Sequence, residues 1–194
     1  MSKKIIITES QLQMLITEMT AREISQAVKD VNKDPSDAQK KAGNYKMGHI
    51  TVAGYDITIE NPRGSYRRGK DKNGKPWEVK MVNHYGYFTK TVGKDGDHID
   101  VFVGRKLDFD TVYVVDQVNL KGEFDESKVM FGFGSEKEAK DAYFASYTKG
   151  WKGFKKITAV SLDFFKEWLY DGRRQRIPFY QYIDVKAETK KLKN

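Results

Sequence analysis

The sequence predicts an α+β fold in which a strongly curved antiparallel sheet or small β-barrel is flanked by helices. Between His49 and Phe133, short runs rich in Val, Ile, Tyr and Phe follow one another, separated by Gly and Asp. Two further amphipathic helical patterns come after these runs rather than between them, and two shorter ones come before. Strands gathered into one stretch argue against alternating βαβ units.

The first helical pattern, TESQLQMLITEM from Thr8, places Leu12, Leu15, Ile16 and Met19 on one stripe, with Thr8 and Gln11 spaced as a capping box. Thr20 and Glu23 repeat that spacing, and Ile24, Val28 and Val31 continue it, predicting a second helix that ends near Asn32. Stripes this narrow make no core alone. Residues 1–32 are therefore expected to dock, either on the main domain or on another subunit or larger assembly. KDPSDAQKKAGNYK, polar with Pro and Gly, reads as a connector from Lys33 to Lys46. HITVAGYDITIEN alternates apolar and polar residues on either side of Ala53-Gly54, which predicts a β-hairpin ending near Glu60.

NPRGSYRRGKDKNGKPW is a basic, glycine-bearing excursion, too long for a tight turn and of the functional or mobile kind. WEVKMV, YGYFTKT, HIDVFVG, TVYVVDQV and KVMFGF read as strands, with KGEFD as a turn. Ser135 and Glu138 open a helix through about Tyr147, with Ala139, Ala142 and Tyr143 facing inward. Ser161 opens another, in which Phe164, Phe165, Trp168 and Leu169 form the buried stripe and Gly172 supplies the stop. The main domain is expected over residues 33–182. KAETKKLKN falls in a basic tail, 183–194, where Lys186, Lys190, Lys191 and Lys193 oppose only Glu188, as in a solvated end.

Composition narrows the function classes. A chain of 194 residues holds one domain of ordinary size plus an appendage, so a single site is expected. Cysteine is absent, which excludes disulfides, thiolate metal sites and cysteine nucleophiles and leaves oxygen or imidazole for any metal. MSKKIIITESQ meets Glu and Gln before an apolar region of signal length can form, and no run approaches the roughly 18–20 apolar residues of a membrane span. A soluble protein of the cytoplasm is the expectation. The net charge of +8 attracts polyanions generally and selects none of them.

YGYFTKTVGKDGDHIDVFVG carries the densest chemistry. Asp95, Asp97 and Asp100 crowd onto a turn and the start of a strand, where unpaired carboxylates repel each other unless a cation joins them. A hard ion such as Mg²⁺ takes oxygen ligands of this kind together with waters and substrate phosphates. The plain alternative is a solvated DG turn. Around this cluster lie Glu60, Arg67, Arg68, Lys75, Lys80 and Tyr85 upstream, and Asp125, Glu126 and Lys128 downstream. Acidic groups interleaved with lysine, arginine and tyrosine are what phosphoryl transfer needs, since its transition state is mostly charge to be held in place.

The segment Tyr85 to Val101, YGYFTKTVGKDGDHIDV, resembles the signature of soluble family I inorganic pyrophosphatases, in which a YGY strand precedes DGDPxDV. The resemblance implies that Asp95, Asp97 and Asp100 hold activating Mg²⁺, with Mn²⁺ an alternative, and that Tyr85 contacts a substrate phosphate. ITIENP resembles the family's IEIP strand and implies Glu60 as a further metal carboxylate. FDESKV resembles its second acidic segment, implying Asp125 or Glu126 as metal ligands and Lys128 as a phosphate ligand. The wider chain, from Ala38 through Trp168, is similar to the pyrophosphatase-like domain of bacteriophage proteins and of polyvalent proteins of mobile elements. The pieces that carry this are AGNYKMGHI, IENPRGSYRRG, NHYGY, GDHIDVFVG, FDESKVMFGF and ASYTKGWKG. It implies an OB-like barrel, pyrophosphate or nucleotide phosphates as ligands, and a host cytoplasm or virion as the setting.

The chain departs from the family pattern in two places. His98 stands where the enzyme motif has proline; it either neutralises the carboxylates or ligates a metal, tilting preference toward Mn²⁺ or Co²⁺. The loop between Glu60 and Tyr85 is short, so Arg67, Arg68, Lys75 and Lys80 compete for the family's basic roles. Likewise Tyr147, Lys149 and Lys152 compete for its late tyrosine-lysine pair, with Tyr147 and Lys152 preferred. The expected activity is metal-dependent hydrolysis of pyrophosphate or a related phosphoanhydride, in which Asp97, Tyr85 and Lys128 are catalytic and Arg67, Arg68, Lys80, Tyr147 and Lys152 bind substrate. Its rival is a non-catalytic phage structural or packaged protein that keeps the fold and associates with a virion or with itself through the N-terminal helices. Nucleic-acid binding is a third reading and is not favoured, because the aromatics lie in core-like strands.

Overall fold

The computed structural model describes residues 6–71, 73–171 and 176–191. Nine strands and five helices follow in chain order among them: α1 Glu9–Ala27, α2 Asp37–Ala42, β1 Gly48–Val52, β2 Tyr55–Asn61, β3 Tyr66–Lys70, β4 Pro76–Lys80, β5 His84–Phe88, β6 Asp100–Val103, β7 Thr111–Val118, β8 Phe124–Phe131, α3 Glu136–Ala145, β9 Phe154–Ser161, α4 Leu162–Tyr170 and α5 Phe179–Lys191. Seven strands form one sheet in the order β1-β2-β5-β6-β8-β7-β9, and β3 and β4 form a separate hairpin.

The α+β class is correct, but the small OB-like barrel is not observed. β1 and β9 end the sheet on opposite sides, so it remains open. Nor is it wholly antiparallel: β8 inserts between β6 and β7 and runs parallel to β6, with Val101 opposite Val129 and Phe102 opposite Met130. Local periodicity cannot reveal that insertion, because it depends on where a distant strand docks.

The two faces of the sheet differ. On one, Ile57, Ile59, Val101, Val103, Val129 and Phe131 are buried against Ile24 of α1, Phe165, Trp168 and Leu169 of α4, and Phe179 and Tyr182 of α5. On the other, Tyr85, Phe102, Tyr113, Val115 and Met130 pack with Ala139, Ala142 and Tyr143 of α3. Successive side chains of a strand alternate between these faces.

Several local expectations hold. The Thr8–Gln11 capping box forms, Ser135 and Ser161 cap α3 and α4, and the β1–β2 hairpin turns at Ala53-Gly54. Others change. The two N-terminal helices are one, because no Gly or Pro interrupts residues 9–27 and the Thr20 hydroxyl donates to the Ile16 carbonyl at 2.9 Å instead of capping. The connector carries α2, capped by Ser36. The basic excursion contains β3, which pairs with the strand expected at WEVKMV to form the β3–β4 hairpin, and β8 begins inside the expected KGEFD turn. β9 had no counterpart in the strand pattern.

The expected solvated tail is in large part helical. α5 starts at Phe179, whose amide donates to the Asp116 carboxylate at 2.8 Å, as does that of Tyr180 at 3.2 Å. A buried side chain from β7 therefore satisfies amides that no neighbour in sequence caps. The predicted stop at Gly172 lies outside the described residues, as does Lys193. No helix among the described residues is long and apolar enough to cross a membrane.

Candidate active site

The polar end of the α3-side face gathers side chains from six strands and one helix end. In β6 and β8, the parallel register that sets Val101 opposite Val129 brings Asp100 and Lys128 side by side one step earlier. Lys128 Nζ donates to Asp100 Oδ2 and, at 2.7 Å, to Glu126 Oε2. The lysine side chain is only 4% exposed, so its charge is almost entirely neutralised by protein rather than by water. Tyr85, two residues along β5 from the partner of Asp100, donates its hydroxyl to Asp100 Oδ2 at 2.6 Å.

Glu60 reaches this group through a bulge. Ile59 faces Gly86 and Asn61 faces Tyr85, which leaves Glu60 as the extra residue of β2. Its carboxylate accepts from the Tyr45 hydroxyl at 2.9 Å. The glycine of YGY has a matching steric cause: a Cβ at Gly86 would stand 1.8 Å from the Thr58 carbonyl oxygen, so no other residue fits beneath β2. From β3, the Arg67 guanidinium lies 4.5 Å from the centre of the Tyr85 ring. Beyond α3, the Tyr147 hydroxyl accepts from Gln117 at 2.7 Å, and its ring stacks on Trp151 at 4.7 Å.

The electrostatics follow from burial and mutual approach. Burial pulls the Lys128 ammonium down, but Asp100, the Tyr85 and Tyr147 hydroxyls and Glu126 together outweigh it and hold the group well above the ordinary lysine range. Burial likewise pulls Arg67 down, and the Tyr85 and Tyr147 hydroxyls with Asp100 more than offset this. Both cations therefore stay charged. Burial raises Tyr85 well above the phenol range, with Asp100 adding to the effect, so this hydroxyl remains a donor. Glu60 and Glu126 are raised chiefly by burial, opposed in Glu60 first by the Tyr45 hydrogen bond and in Glu126 first by Lys128. Asp100 adds to the upward push on both.

The expected site residues divide. Glu60, Arg67, Tyr85, Asp100, Glu126, Lys128 and Tyr147 converge. Asp95 and Asp97 lie exposed on the loop before β6, where the Asp97 amide donates to Asp95 Oδ1 at 3.1 Å. That loop is tied to β8 through Lys94, whose ammonium donates to the Phe124 carbonyl, and Asp95 is close enough to Glu126 to push its pKa up. Asp125, Lys80, Lys75, Lys149 and Lys152 are exposed. Arg68, alternating with Arg67 on β3, turns away to pair with Glu78 at 2.6 Å and Asp34 at 2.9 Å. His98 stacks on Tyr87 and bonds the Thr91 carbonyl through Nδ1, so that nitrogen is not free for an ion.

Tyr45, Gln117 and Trp151 escaped the sequence reading, and Tyr143, read as a core residue, also accepts from Gln117 at 2.6 Å and from Trp151 at 2.8 Å through its hydroxyl. The Asp116-Gln117 pair inside a valine-rich strand was a usable signal, since buried polar side chains require partners. Tyr45, in the connector, gave none.

In kind, the donors fit a hard divalent cation: all are oxygens, and three carboxylates face two cations in the converged group. In position they are not gathered, for among the described residues no three acidic or imidazole side chains form an ion-holding group.

Charged groups of both signs and two phenols thus converge at one end of an α+β domain whose sheet is backed by an apolar core. The family model for inorganic pyrophosphatase matches residues 37–170, and the chain belongs to that family. No curated protein matches the chain.

Proposed function

We propose that the domain hydrolyses pyrophosphate or a related phosphoanhydride with the help of a divalent cation. The observation that supports this reading best is the convergence of Lys128, Arg67, Tyr85 and Tyr147 on one patch within the matched span. Lys128 and Arg67 neutralise the departing phosphate, the Tyr147 hydroxyl donates to its oxygens, and the Tyr85 hydroxyl does so on turning its proton away from Asp100. Water bonds to one phosphorus as the bridging P–O bond breaks, and its protons pass to the two phosphate products or to solvent. No side-chain nucleophile is needed.

Asp95, Asp97 and Asp100, with Glu60 and Glu126, are the residues that would hold Mg²⁺ or Mn²⁺. Such an ion would supply charge neutralisation and acidify bound water. Glu60 and Glu126, left raised by burial, are the carboxylates whose charged forms gain most from a cation.

Phosphate release from pyrophosphate in Mg²⁺ or Mn²⁺ tests this. Asp100→Asn, which keeps the shape of the side chain, is expected to lower the rate by at least about 100-fold, the scale of losing one electrostatic group at a transition state. Wild-type protein inert with both metals would overturn the reading.

One observation favours a second reading, a structural protein that retains the fold and joins a larger assembly. Leu12, Leu15, Ile16 and Met19 of α1 remain 47–60% exposed. Under this reading the full chain releases no phosphate from pyrophosphate with either metal, and deletion of residues 1–19 abolishes assembly while leaving the rest of the fold intact.

A further inference from the structure

Tyr147 enters the phosphate-handling group from just beyond α3, and behind it lies a second polar layer that no step of the hydrolysis uses. Gln117 follows Val115 on the α3-side face of β7 and is buried. Its amide nitrogen donates to the Tyr143 hydroxyl at 2.6 Å and to the Tyr147 hydroxyl at 2.7 Å, so each of its two hydrogens meets one phenol oxygen. The Trp151 indole, which can only donate, reaches the same Tyr143 oxygen at 2.8 Å.

The chain is shaped around this layer. The Trp151 amide donates to the Thr148 carbonyl at 3.1 Å, closing a turn whose third residue, Gly150, lies at φ +87°. Two residues after the indole, a Cβ at Gly153 would stand 2.2 Å from the Trp151 ring, so a side chain there would push the ring away. Glycine lets it stay stacked on Tyr147, with 4.7 Å between centres and 12° between planes. In the segment TKGWKG, then, the indole and the glycines serve the site, while both lysines are exposed.

What this support decides is the direction of a proton. A phenol oxygen has one hydrogen to give and lone pairs that receive, and unaided it turns to suit either kind of neighbour. Ionised phosphate oxygens only accept, so a donor alone is useful to them. With the Gln117 nitrogen on its lone pairs, Tyr147 keeps its own hydrogen for a different partner. Burial raises its pKa above the phenol range, so that hydrogen is retained. Lys128 and Arg67 are close enough to oppose the shift, which sets the hydroxyl beside the two cations of the group.

We propose that Gln117 is a positioning residue, which fixes the Tyr147 hydroxyl as a donor to the substrate phosphate, with Tyr143 and Trp151 behind it as support. The proposal rests on the phosphoanhydride reading for what Tyr147 meets, and it adds a residue that touches neither substrate nor metal.

A double-mutant cycle in Mg²⁺ tests it, read separately as kcat for pyrophosphate and as calorimetric affinity for methylenediphosphonate, an analogue that is not hydrolysed. Gln117→Leu, of similar size but without a donor, is expected to lower kcat about 10-fold and the affinity about 3-fold, as for a transition-state donor misaimed rather than removed. The larger loss falls on kcat because charge on the departing phosphate grows in the transition state. Tyr147→Phe is expected to lower both at least as far, and the double variant to be no worse than Tyr147→Phe alone. Gln117→Glu is expected to match Gln117→Leu, since a carboxylate takes phenol hydrogens and gives none, and it replaces the leucine variant in the cycle if that variant does not fold. Losses that multiply in the double variant would mean that Gln117 acts through the fold and not through Tyr147. Wild-type kcat in either Gln117 variant would mean that the phenol needs no aiming, and both results overturn the proposal. In a chain that binds the analogue but releases no phosphate, non-additive affinities keep the positioning role and remove the hydrolysis. Hydrolysis with multiplying losses does the reverse, and a chain that neither binds nor hydrolyses overturns both.

Discussion

The two faces of the seven-stranded sheet are built from the same strands and do opposite work. In β8, Val129 and Phe131 point into the core beneath α4 and α5, while Lys128 and Met130 point to the α3 side. On the first face, stability comes from apolar area removed from water, at about 25 cal/mol per Å². On the second, a lysine, an arginine and several carboxylates are held out of water by one another. Removing charged groups from water is costly even when they are paired, so the second face is a poor way to gain stability. It is explained by what charges can do once preorganised, and the apolar face behind holds them in place.

The comparison is tested hardest by Trp168→Ala on the apolar face. Trp168 is 1% exposed and packs against Phe165 and Phe179. Its removal should lower unfolding free energy by about 3–5 kcal/mol in urea titration, while the folded fraction keeps its KM for pyrophosphate. A loss under about 1 kcal/mol would show that this face is not where the fold draws its stability. The counterpart is Lys128→Met, which keeps length but removes the charge. It should reduce kcat by on the order of 10²–10³, equivalent to about 2.7–4 kcal/mol. Wild-type turnover in that variant would make the ion pair a structural feature only.

A smaller effect comes from His84, on β5 beside the site. Its Nδ1 accepts the Arg63 amide at 3.1 Å, which requires an unprotonated nitrogen, and burial with the nearby Arg63 charge lowers its pKa to about 4. In the unfolded chain it titrates near 6.5. Below that value the unfolded state takes up a proton that the folded state refuses. The stability His84 contributes is therefore complete above pH 6.5 and lost as the pH falls toward 4. The loss should be roughly 3 kcal/mol, at about 1.4 kcal/mol per pH unit. Urea midpoints measured across this window for wild type and His84→Gln should converge as the pH falls. Parallel curves would mean that the imidazole is free to protonate in place.

What the sequence reveals and what it hides follow the same division. Caps at Thr8, Ser135 and Ser161 and the hairpin around Ala53-Gly54 are legible because their causes lie within four or five residues. The insertion of β8 beside β6, which joins Asp100 to Lys128, is decided by packing across the whole domain, so the ion pair could be suspected but not placed. In the β3–β4 hairpin β4 was legible in WEVKMV, whereas β3 was hidden for another reason: Tyr66, Arg68 and Lys70 lie on one face and Arg67 and Gly69 on the other, so no apolar–polar alternation marks it. α5 depends on a remote carboxylate, Asp116, which no local cap pattern can show.

The smallest expected effect concerns α1, where a legible pattern has a different outcome from that in α4. Both helices begin with a side-chain cap and carry an apolar stripe. In α4, Phe165, Trp168 and Leu169 are at most 1% exposed, whereas in α1 Leu15 and Ile16 are each 48% exposed and the buried residue is Ile24, one helical segment further along. Amphipathic spacing thus marks a helix that can bury a face, not one that does. Ile24→Ala should cost about 2–5 kcal/mol, because it leaves a cavity against β1 and its neighbours. Leu15→Gln should change the urea midpoint by less than the equivalent of about 0.5 kcal/mol, because it exchanges one solvated side chain for another. If Leu15→Gln proved as damaging as Ile24→Ala at protein concentrations spanning a hundredfold, the first turns of α1 would be held against the body of the same molecule in solution. If the damage appeared only at the higher concentrations, the stripe would be closing on a second molecule, and its exposure would be the reason.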